Sequence, residues 1–460
     1  MSGTARLRAE GLVHGGAVLA RFDGQVVFLR GAAPGDLVEA ELLPGGKGFL
    51  RGRVTKIIER GAARADPPCP IVERCGGCPA QQLGYPAQLA EKQRLAADAL
   101  ERLGGLEPGG YQLLSIKPSP SPLRYRRRAR LHRGPDGAWG FAGHLQGEGG
   151  EGGEEAGVVG VDACLLFEPG LQELWNRLRA AIAELGGLPD VLDLGLETSG
   201  GKGSLDLRTP ETPHRRVRHK LEQLVRRVPT VRGATLGPEG QKAIVGEPVL
   251  ADPLVQLREG HASFRLRVRP DLFAQANRGA LHLLQLATLD ALGPAAQGRV
   301  LELFCGAGTL TLPLLAAGAR EVVGVEFAAG SLELLRRSAD EATGVGPAAG
   351  EKLGARLKLL AGDAAQLTAS LRATERGRFD AVLLDPPRTG ASAAVRATAE
   401  LQARRIVYVS CDAPTLGRDA KALAQAGYRL VRAQPIDLFP QTAHFEIVAE
   451  FELARPAGAA

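Results

Sequence analysis

Cys411 closes the apolar, β-branched run Ile406–Val409 (IVYV) after Ser410 and is followed by Asp412, Pro414 and a Thr-initiated helical pattern. A thiol at the carboxyl end of a buried parallel strand stands where open α/β sheets hold their ligands. Alone, it reads equally as a packed structural thiol, since free cysteine is among the most buried residue types. Three other stretches change that reading: Glu302–Thr309 (ELFCGAGT), Asp385-Pro386-Pro387-Arg388 and Thr442–Glu446 (TAHFE). A thiol and carboxylates at neighbouring strand ends can add sulfur to an electron-poor ring carbon and take a proton from the carbon beside it.

Gly306 and Gly308 sit at a strand-to-helix turn, where glycine lets a cofactor approach the backbone. The pattern is G-x-G-T rather than G-x-G-x-x-G, which disfavours a dinucleotide pyrophosphate. Glu326, ending the second strand, suits ribose hydroxyls, and Asp363 in AGDA could face an adenine amino group. Separately these are a tight turn, a solvated carboxylate and a helix cap; together they indicate S-adenosylmethionine. A D-P-P turn holds a planar base against the methyl donor in amino-methylating enzymes, which follow it with an aromatic and need no thiol. Here Arg388 follows and Cys411 lies one strand away, which suits methylation of a pyrimidine carbon. C5 of uracil attacks a methyl donor only after a thiolate has added at C6, and a base must then remove the C5 proton. Glu446 is the candidate base and His444 the runner-up.

The elements that must position these groups fall into three parts. Residues 1–60 alternate short apolar runs with turn signals, giving strands at Ala17–Arg21, Gln25–Leu29, Leu37–Leu42 and Gly48–Ile58 of a small barrel. Residues 61–265 open on a cysteine cluster and a helix from Tyr85-Pro86 to Leu103, whose apolar side would be Leu89, Leu95, Ala96, Ala99, Leu100 and Leu103 and which can pack on the catalytic part. A β-rich α+β region follows, with a polar glycine-rich stretch, Gly147–Gly157, that reads as a mobile insertion. Residues 266–455 alternate buried strands with amphipathic helices, the pattern of a doubly wound Rossmann-like α/β domain, and 455–460 reads as a loose tail. No apolar run reaches membrane-spanning length and the first residues lack a secretory core, so the expected location is the cytoplasm. The net charge of +6 permits a polyanionic partner without requiring one.

Cys69, Cys75 and Cys78 form a tight group, and Cys164 is the remaining cysteine outside the α/β domain. All-thiolate ligation suits zinc or an iron–sulfur cluster, and spacing leaves both open. Cys305 reads as a packed thiol beside the glycine turn. The run LRYRRRAR offers Arg124, Arg126, Arg127, Arg128 and Arg130, either as a solvated strand face or as phosphate contacts.

Residues 11–36 (GLVHGGAVLARFDGQVVFLRGAAPGD) resemble a TRAM domain, an OB-like RNA-binding barrel. With FAQAN, the glycine turn, DPPR, SCDAPTLGRD and the terminal H-x-E, nearly the whole chain resembles the bacterial RNA 5-methyluridine methyltransferases, most closely the 23S ribosomal RNA branch that carries an iron–sulfur cluster. The resemblance implies Cys411 as nucleophile, Glu446 as proton acceptor, and methyl-donor contacts at Gln275, Phe304, Thr309, Glu326, Asp363 and Asp385. It implies a [4Fe-4S] cluster on Cys69, Cys75, Cys78 and Cys164, an RNA substrate whose target uridine is flipped out of its stack, and no obligate protein partner. Ala413 intervenes where many members run from Asn straight to Pro, and Ala339–Leu357 is longer than usual and lacks the customary Asn-Ala. The rival readings are the same chemistry on tRNA, a non-catalytic RNA-binding protein with a retained fold, and a radical-type RNA modifier. The last would need a C-x3-C-x2-C group that the sequence lacks.

Overall fold

The computed structural model describes residues 3–144, 157–213 and 215–454. All of the expected insertion except Gly157, and the tail 455–460, lie outside the described residues.

The amino-terminal barrel is a sheet of β1 (Thr4–Arg8), β2 (Val18–Phe22), β3 (Gln25–Arg30), β4 (Leu37–Pro44) and β5 (Phe49–Glu59), in the order β1-β4-β5-β3-β2. The chain beyond β1 closes it, with Glu10 N–H donating to Leu19 C=O and Leu19 N–H to Gly11 C=O. Alternate residues point inward, Ala5 and Leu7, Val27 and Leu29, Val38 and Ala40. The sequence gives β1 only a faint signal because two apolar residues alternate with arginines and polar groups over five positions.

α1 (Tyr85–Asp98) begins with Pro86 in its first turn and runs into a π-type turn over Ala99–Leu103. Its buried residues, Gln88, Lys92 and Ala96, are spaced four apart. The face is therefore partly polar, unlike the apolar side expected, and Leu103 is exposed. A two-residue strand, β6 (Gln112–Leu113), follows.

The central sheet contains β7 (Arg128–Arg133), β8 (Trp139–Ala142), β9 (Val158–Gly160), β10 (Asp193–Ser199), β11 (Lys202–Arg208), β12 (Val231–Gly237) and β13 (Ala243–Gly246), in the order β13-β12-β11-β10-β7-β8-β9. α2 (Pro169–Glu184) and α3 (Arg215–Arg227) pack their leucines and Trp175 on Leu194, Leu196, Leu205 and Leu207. A small ribbon, β14 (Leu250–Ala251) with β15 (Arg267–Val268), leads on to the α/β unit.

That unit starts with α4 (Arg278–Leu292), capped by the Asn277 side chain, which accepts from Ala280 N–H at 3.0 Å. Five parallel strands follow: β16 (Arg299–Leu303), β17 (Glu321–Glu326), β18 (Leu357–Ala361), β19 (Ala381–Leu384) and β20 (Arg405–Ser410). Between and after them run α5 (Thr311–Ala316), α6 (Ala329–Glu341), α7 (Ala364–Glu375), α8 (Ser392–Glu400) and α9 (Ala413–Gln425). β21 (Tyr428–Ile436) and the antiparallel β22 (Glu446–Leu453) complete the order β18-β17-β16-β19-β20-β22-β21-β6. Val300, Leu383 and Val407 enter the core on one face, and Leu301, Val382 and Ile406 the core on the other. This two-sided burial explains why the strands read as unbroken apolar runs.

β6 therefore belongs to the α/β sheet, pairing parallel with β21, although it lies within the stretch 61–265 expected to be central. α1 goes with it. Lys92 Nζ donates to Asp437 Oδ1 at 2.6 Å and to Phe439 C=O at 3.1 Å, and neither side chain of the pair reaches solvent. Among the described residues, no helix is long and apolar enough to cross a membrane.

Lys92→Met leaves Asp437 buried and unpaired, which costs about 3–5 kcal/mol. Calorimetry should show the α/β transition falling by several degrees, with much of the loss recovered in Lys92→Met/Asp437→Leu.

Candidate active site

Strand order reverses between β16 and β19, and a doubly wound sheet opens its crevice at such a point. The glycine turn leaves the end of β16, Asp385 follows β19, and Cys411 follows β20. Phe304, Gly306 and Gly308 all have positive φ, at 64°, 53° and 94°. A side chain at Gly308 would also meet Leu335 Cδ1 at 2.4 Å, so the turn needs glycine there for conformation and for space. Glu326 ties it from β17: Oε2 accepts from Gly306 N–H at 3.1 Å and Oε1 from Ala328 N–H at 2.8 Å. Thr309 lies half-buried in the same turn. Asp363 is exposed, and its Oδ1 caps α7 by accepting from Gln366 N–H at 2.9 Å.

The nucleophile loop is fixed on both sides. Asp412 caps α9, Oδ1 accepting from Thr415 N–H at 2.9 Å, and Asp412 N–H donates to Ser410 Oγ at 3.2 Å. Thr415 Oγ1 donates to Arg388 C=O at 3.2 Å, tying the DPPR turn to the same helix. Burial pushes the Cys411 thiol up to about 12, and the Glu446 and Asp385 carboxyls add to the shift. The Arg388 guanidinium opposes it through its charge and a hydrogen bond. Asp385 is itself raised to about 7 by burial. Glu446 is raised well above the carboxylate range by burial and by Asp385, with Arg388 opposing. His444, lowered to about 4 by burial and by neighbouring Arg388, stays neutral. Glu446 Oε2 and His444 Nδ1 are buried without a hydrogen-bond partner in this crevice. Glu302, just below in β16, is buried and raised to about 8.

The arginine run needs correction. Arg127, 1% exposed, donates through Nε to Gln275 C=O at 3.0 Å and through Nη1 to Asp252 Oδ1 at 2.6 Å. Arg128 reaches the carbonyls of Pro270, Leu272 and Ala274. Arg126 is turned inward beside the cysteines, and Arg130 pairs with Asp206 at 3.1 Å. Only Arg124 and Arg130 of the five are exposed. Arg127 and Arg128 thus hold the FAQAN segment, with buried Gln275, against the central sheet. Burial keeps Arg127 from facing a phosphate, while Arg126 and Arg128 are half-buried and turned toward protein partners.

Three residues that the sequence did not single out for these roles belong to the site's surroundings. Phe327, 81% exposed beside Glu326, and Phe273, 73% exposed at the start of the FAQAN segment, are large apolar surfaces left open. His14, from the barrel, lies 2.9 Å from Asp412 Oδ2.

Cys69, Cys75, Cys78 and Cys164 line one small cavity with Arg126 and otherwise mainly apolar side chains, including Ile71, Val72 and Phe141. Cys305 lies apart, buried behind the glycine turn. Burial and the neighbouring thiols push Cys78 up to about 12, while Arg126 acts against it. Among the described residues no three Cys, His, Asp or Glu side chains converge closely enough to hold a single metal ion. Four thiols and an inward-turned arginine fit a thiolate-ligated group.

The family model described as tRNA (uracil-5-)-methyltransferase matches residues 239–451, and the TRAM domain model matches residues 4–55. The chain is 34% identical over 449 residues to the 23S rRNA (uracil(1939)-C(5))-methyltransferase RlmD of Pseudomonas aeruginosa, covering 97% of this chain and 94% of that one. It is 32% identical to an uncharacterized RNA methyltransferase of Gloeobacter violaceus, covering 96% and 94% of the two chains. The solved Pyrococcus abyssi tRNA (uracil-54, C5)-methyltransferase in complex with S-adenosyl-L-homocysteine shares the fold at a TM-score of 0.69 and 20% identity, over 97% of this chain and 99% of that one. With this likeness running nearly end to end, the chain belongs to the RNA uracil-5-methyltransferase family.

Proposed function

We propose that the protein methylates C5 of a uridine in 23S ribosomal RNA, with Cys411 as nucleophile and Glu446 as the base. The observation that carries this reading is the shared crevice in which Glu446, Asp385 and Arg388 act on Cys411, and Asp385 and Arg388 on Glu446. The 23S substrate rests on the 34% identity to the Pseudomonas enzyme. The tRNA alternative draws on the description of the family model and on a likeness of fold at 20% identity.

S-adenosylmethionine, when bound, supplies an electrophilic methyl group. Gln275, Phe304, Gly306, Gly308, Thr309, Glu326, Asp363 and Asp385 would hold it, with Phe327 as an added aromatic surface for the adenine. The Cys411 thiol passes its proton to water, its sulfur bonds to uracil C6 as the C5–C6 double bond opens, and C5 becomes electron-rich enough to take the methyl. Glu446 then removes the C5 proton, and the C6–S bond breaks to restore the double bond and free the thiolate. A buried carboxyl with raised proton affinity is a stronger base than a solvated one, which suits Glu446 to a carbon acid. Arg388 favours the thiolate. The target base must leave its stack to reach Cys411, and Phe273 offers it a surface.

We assign residues 1–60 to RNA binding, 61–265 (less α1 and β6) to a central unit, and 266–455 to methyl transfer. Cys69, Cys75, Cys78 and Cys164 would ligate a [4Fe-4S] cluster, with Arg126 offsetting its negative charge, in a structural or RNA-positioning role. The cytoplasm is the expected location.

RNA carrying 5-fluorouridine cannot release its C5 substituent as a proton. Holo-protein with S-adenosylmethionine should therefore form a covalent adduct with 23S fragments and not with tRNA, and Cys411→Ala should form none. An adduct with tRNA alone would reassign the substrate, and no adduct with either would reject Cys411 chemistry. In the free enzyme, alkylation of Cys411 by iodoacetamide, followed by peptide mapping, should rise about tenfold per pH unit from about pH 8 to 11 without a plateau, because only the thiolate reacts. Arg388→Met should lower the rate at every pH. Anaerobically purified protein should contain about four irons and four sulfides, and Cys78→Ser should lose them; zinc in their place would refute the cluster.

A further inference from the structure

His14 carries the barrel to the loop that follows the nucleophile. The loop Val13–Gly16 is closed by Val13 N–H donating to Ala17 C=O at 2.8 Å and Gly16 N–H to Val13 C=O at 3.0 Å. Gly15 and Gly16 both have positive φ, and a side chain at Gly16 would meet Pro79 at 2.6 Å, next to Cys78. Its base is clamped on α1: Leu12 N–H donates to Glu91 Oε2 at 2.7 Å, and Arg94 donates to Leu12 C=O. The rest of the barrel is seated independently, by Gln82 Nε2 donating to Ala32 C=O at 3.0 Å and by Ala443 entering the barrel core. Docking is thus supported without His14.

His14 Nε2 lies 2.9 Å from Asp412 Oδ2. The edge of the imidazole thus faces the carboxylate in a close polar contact. Asp412 then has Oδ1 on the α9 cap and Oδ2 on the barrel, which fixes its rotamer and the peptide that carries Cys411. The same imidazole packs edge-on against His444, with ring centroids 5.7 Å apart, and His444 packs in turn on Phe439 at 6.5 Å. One side chain of the barrel therefore touches the residue after the nucleophile and the residue two before the base.

We propose that His14 is a positioning residue for methyl transfer, holding the Cys411 loop through Asp412 and the Glu446 strand through His444, so that the barrel acts on turnover as well as on RNA affinity. The proposal rests on the reading of Cys411 as nucleophile and Glu446 as base. His14 touches no reacting atom. Its contribution is to keep sulfur and carboxylate at a fixed separation around the base, where small misplacements are costly in rate.

The test uses full-length holo-protein with a 23S fragment, measuring kcat and KM for methylation and the single-turnover rate of adduct formation on its 5-fluorouridine form. For His14→Ala, kcat and the adduct rate should each fall about tenfold while KM stays within about twofold. His14→Gln keeps an N–H donor at similar reach and should recover most of the loss. Unchanged kcat in His14→Ala, a loss confined to KM, or a loss that His14→Gln does not restore would overturn the proposal. If wild-type protein itself forms no Cys411-dependent adduct, the underlying reading fails and takes the proposal with it. A failure of the proposal alone leaves the wild-type adduct intact.

Discussion

Lys92 and Asp437 meet where neither side chain reaches water, and the loop that delivers the proposed base hangs from that contact. Burial pulls the lysine toward its neutral form, and the adjacent carboxylate pulls it back. A pair so placed adds little net stability over an apolar substitute, but either charge alone is strongly unfavourable. Its effect is on position. Asp437 fits only where Lys92 is, and from there Leu438 accepts from Asn277, Pro440 from the Tyr125 hydroxyl, and Gln441 exchanges hydrogen bonds with Gln88. Each of those partners comes from a different part of the chain. The arrival of Glu446 at the crevice is the joint result.

Around the nucleophile the electrostatics are set against reactivity at rest. Two recessed carboxyls and the loss of water keep Cys411 protonated, and Arg388 opposes them only in part. A free thiolate would be exposed to oxidation, whereas a thiol that ionises as a base is seated remains inert between turnovers. Both carboxyls gain proton affinity from burial, and Glu446 gains more from Asp385. Stability of the resting site and competence of the filled site are therefore different charge states of one cluster.

Much of this was legible in the sequence because strands buried on both faces leave continuous apolar runs, and their ends carry the distinctive ELFCGAGT, DPPR and SCD stretches. Less was legible where partners are far apart in sequence. RYRRRAR reads as a solvent-facing basic run because its acceptors, Asp252 and the carbonyls of Pro270–Gln275, lie more than a hundred residues on. Lys92 reads as a solvated residue on a helix for the same reason. β6 has two residues, too few for any period, and His14 is a lone histidine between turn residues. Of the four cysteines that line one cavity, Cys69, Cys75 and Cys78 group by spacing, whereas Cys164 joins them only by count and family likeness.

The pairing of β6 with β21, and of Lys92 with a residue 345 positions later, also orders events during synthesis. A ribosome releases the barrel and the central unit first, and the central unit collects its core, and the barrel all of its core but Ala443, from local chain. The helix carrying Lys92 must wait with a bare ammonium until the last few dozen residues emerge. Nascent or truncated chains therefore hold a thiol but no base and no anchored loop. A methyltransferase built this way gains its activity only when its final strand is in place.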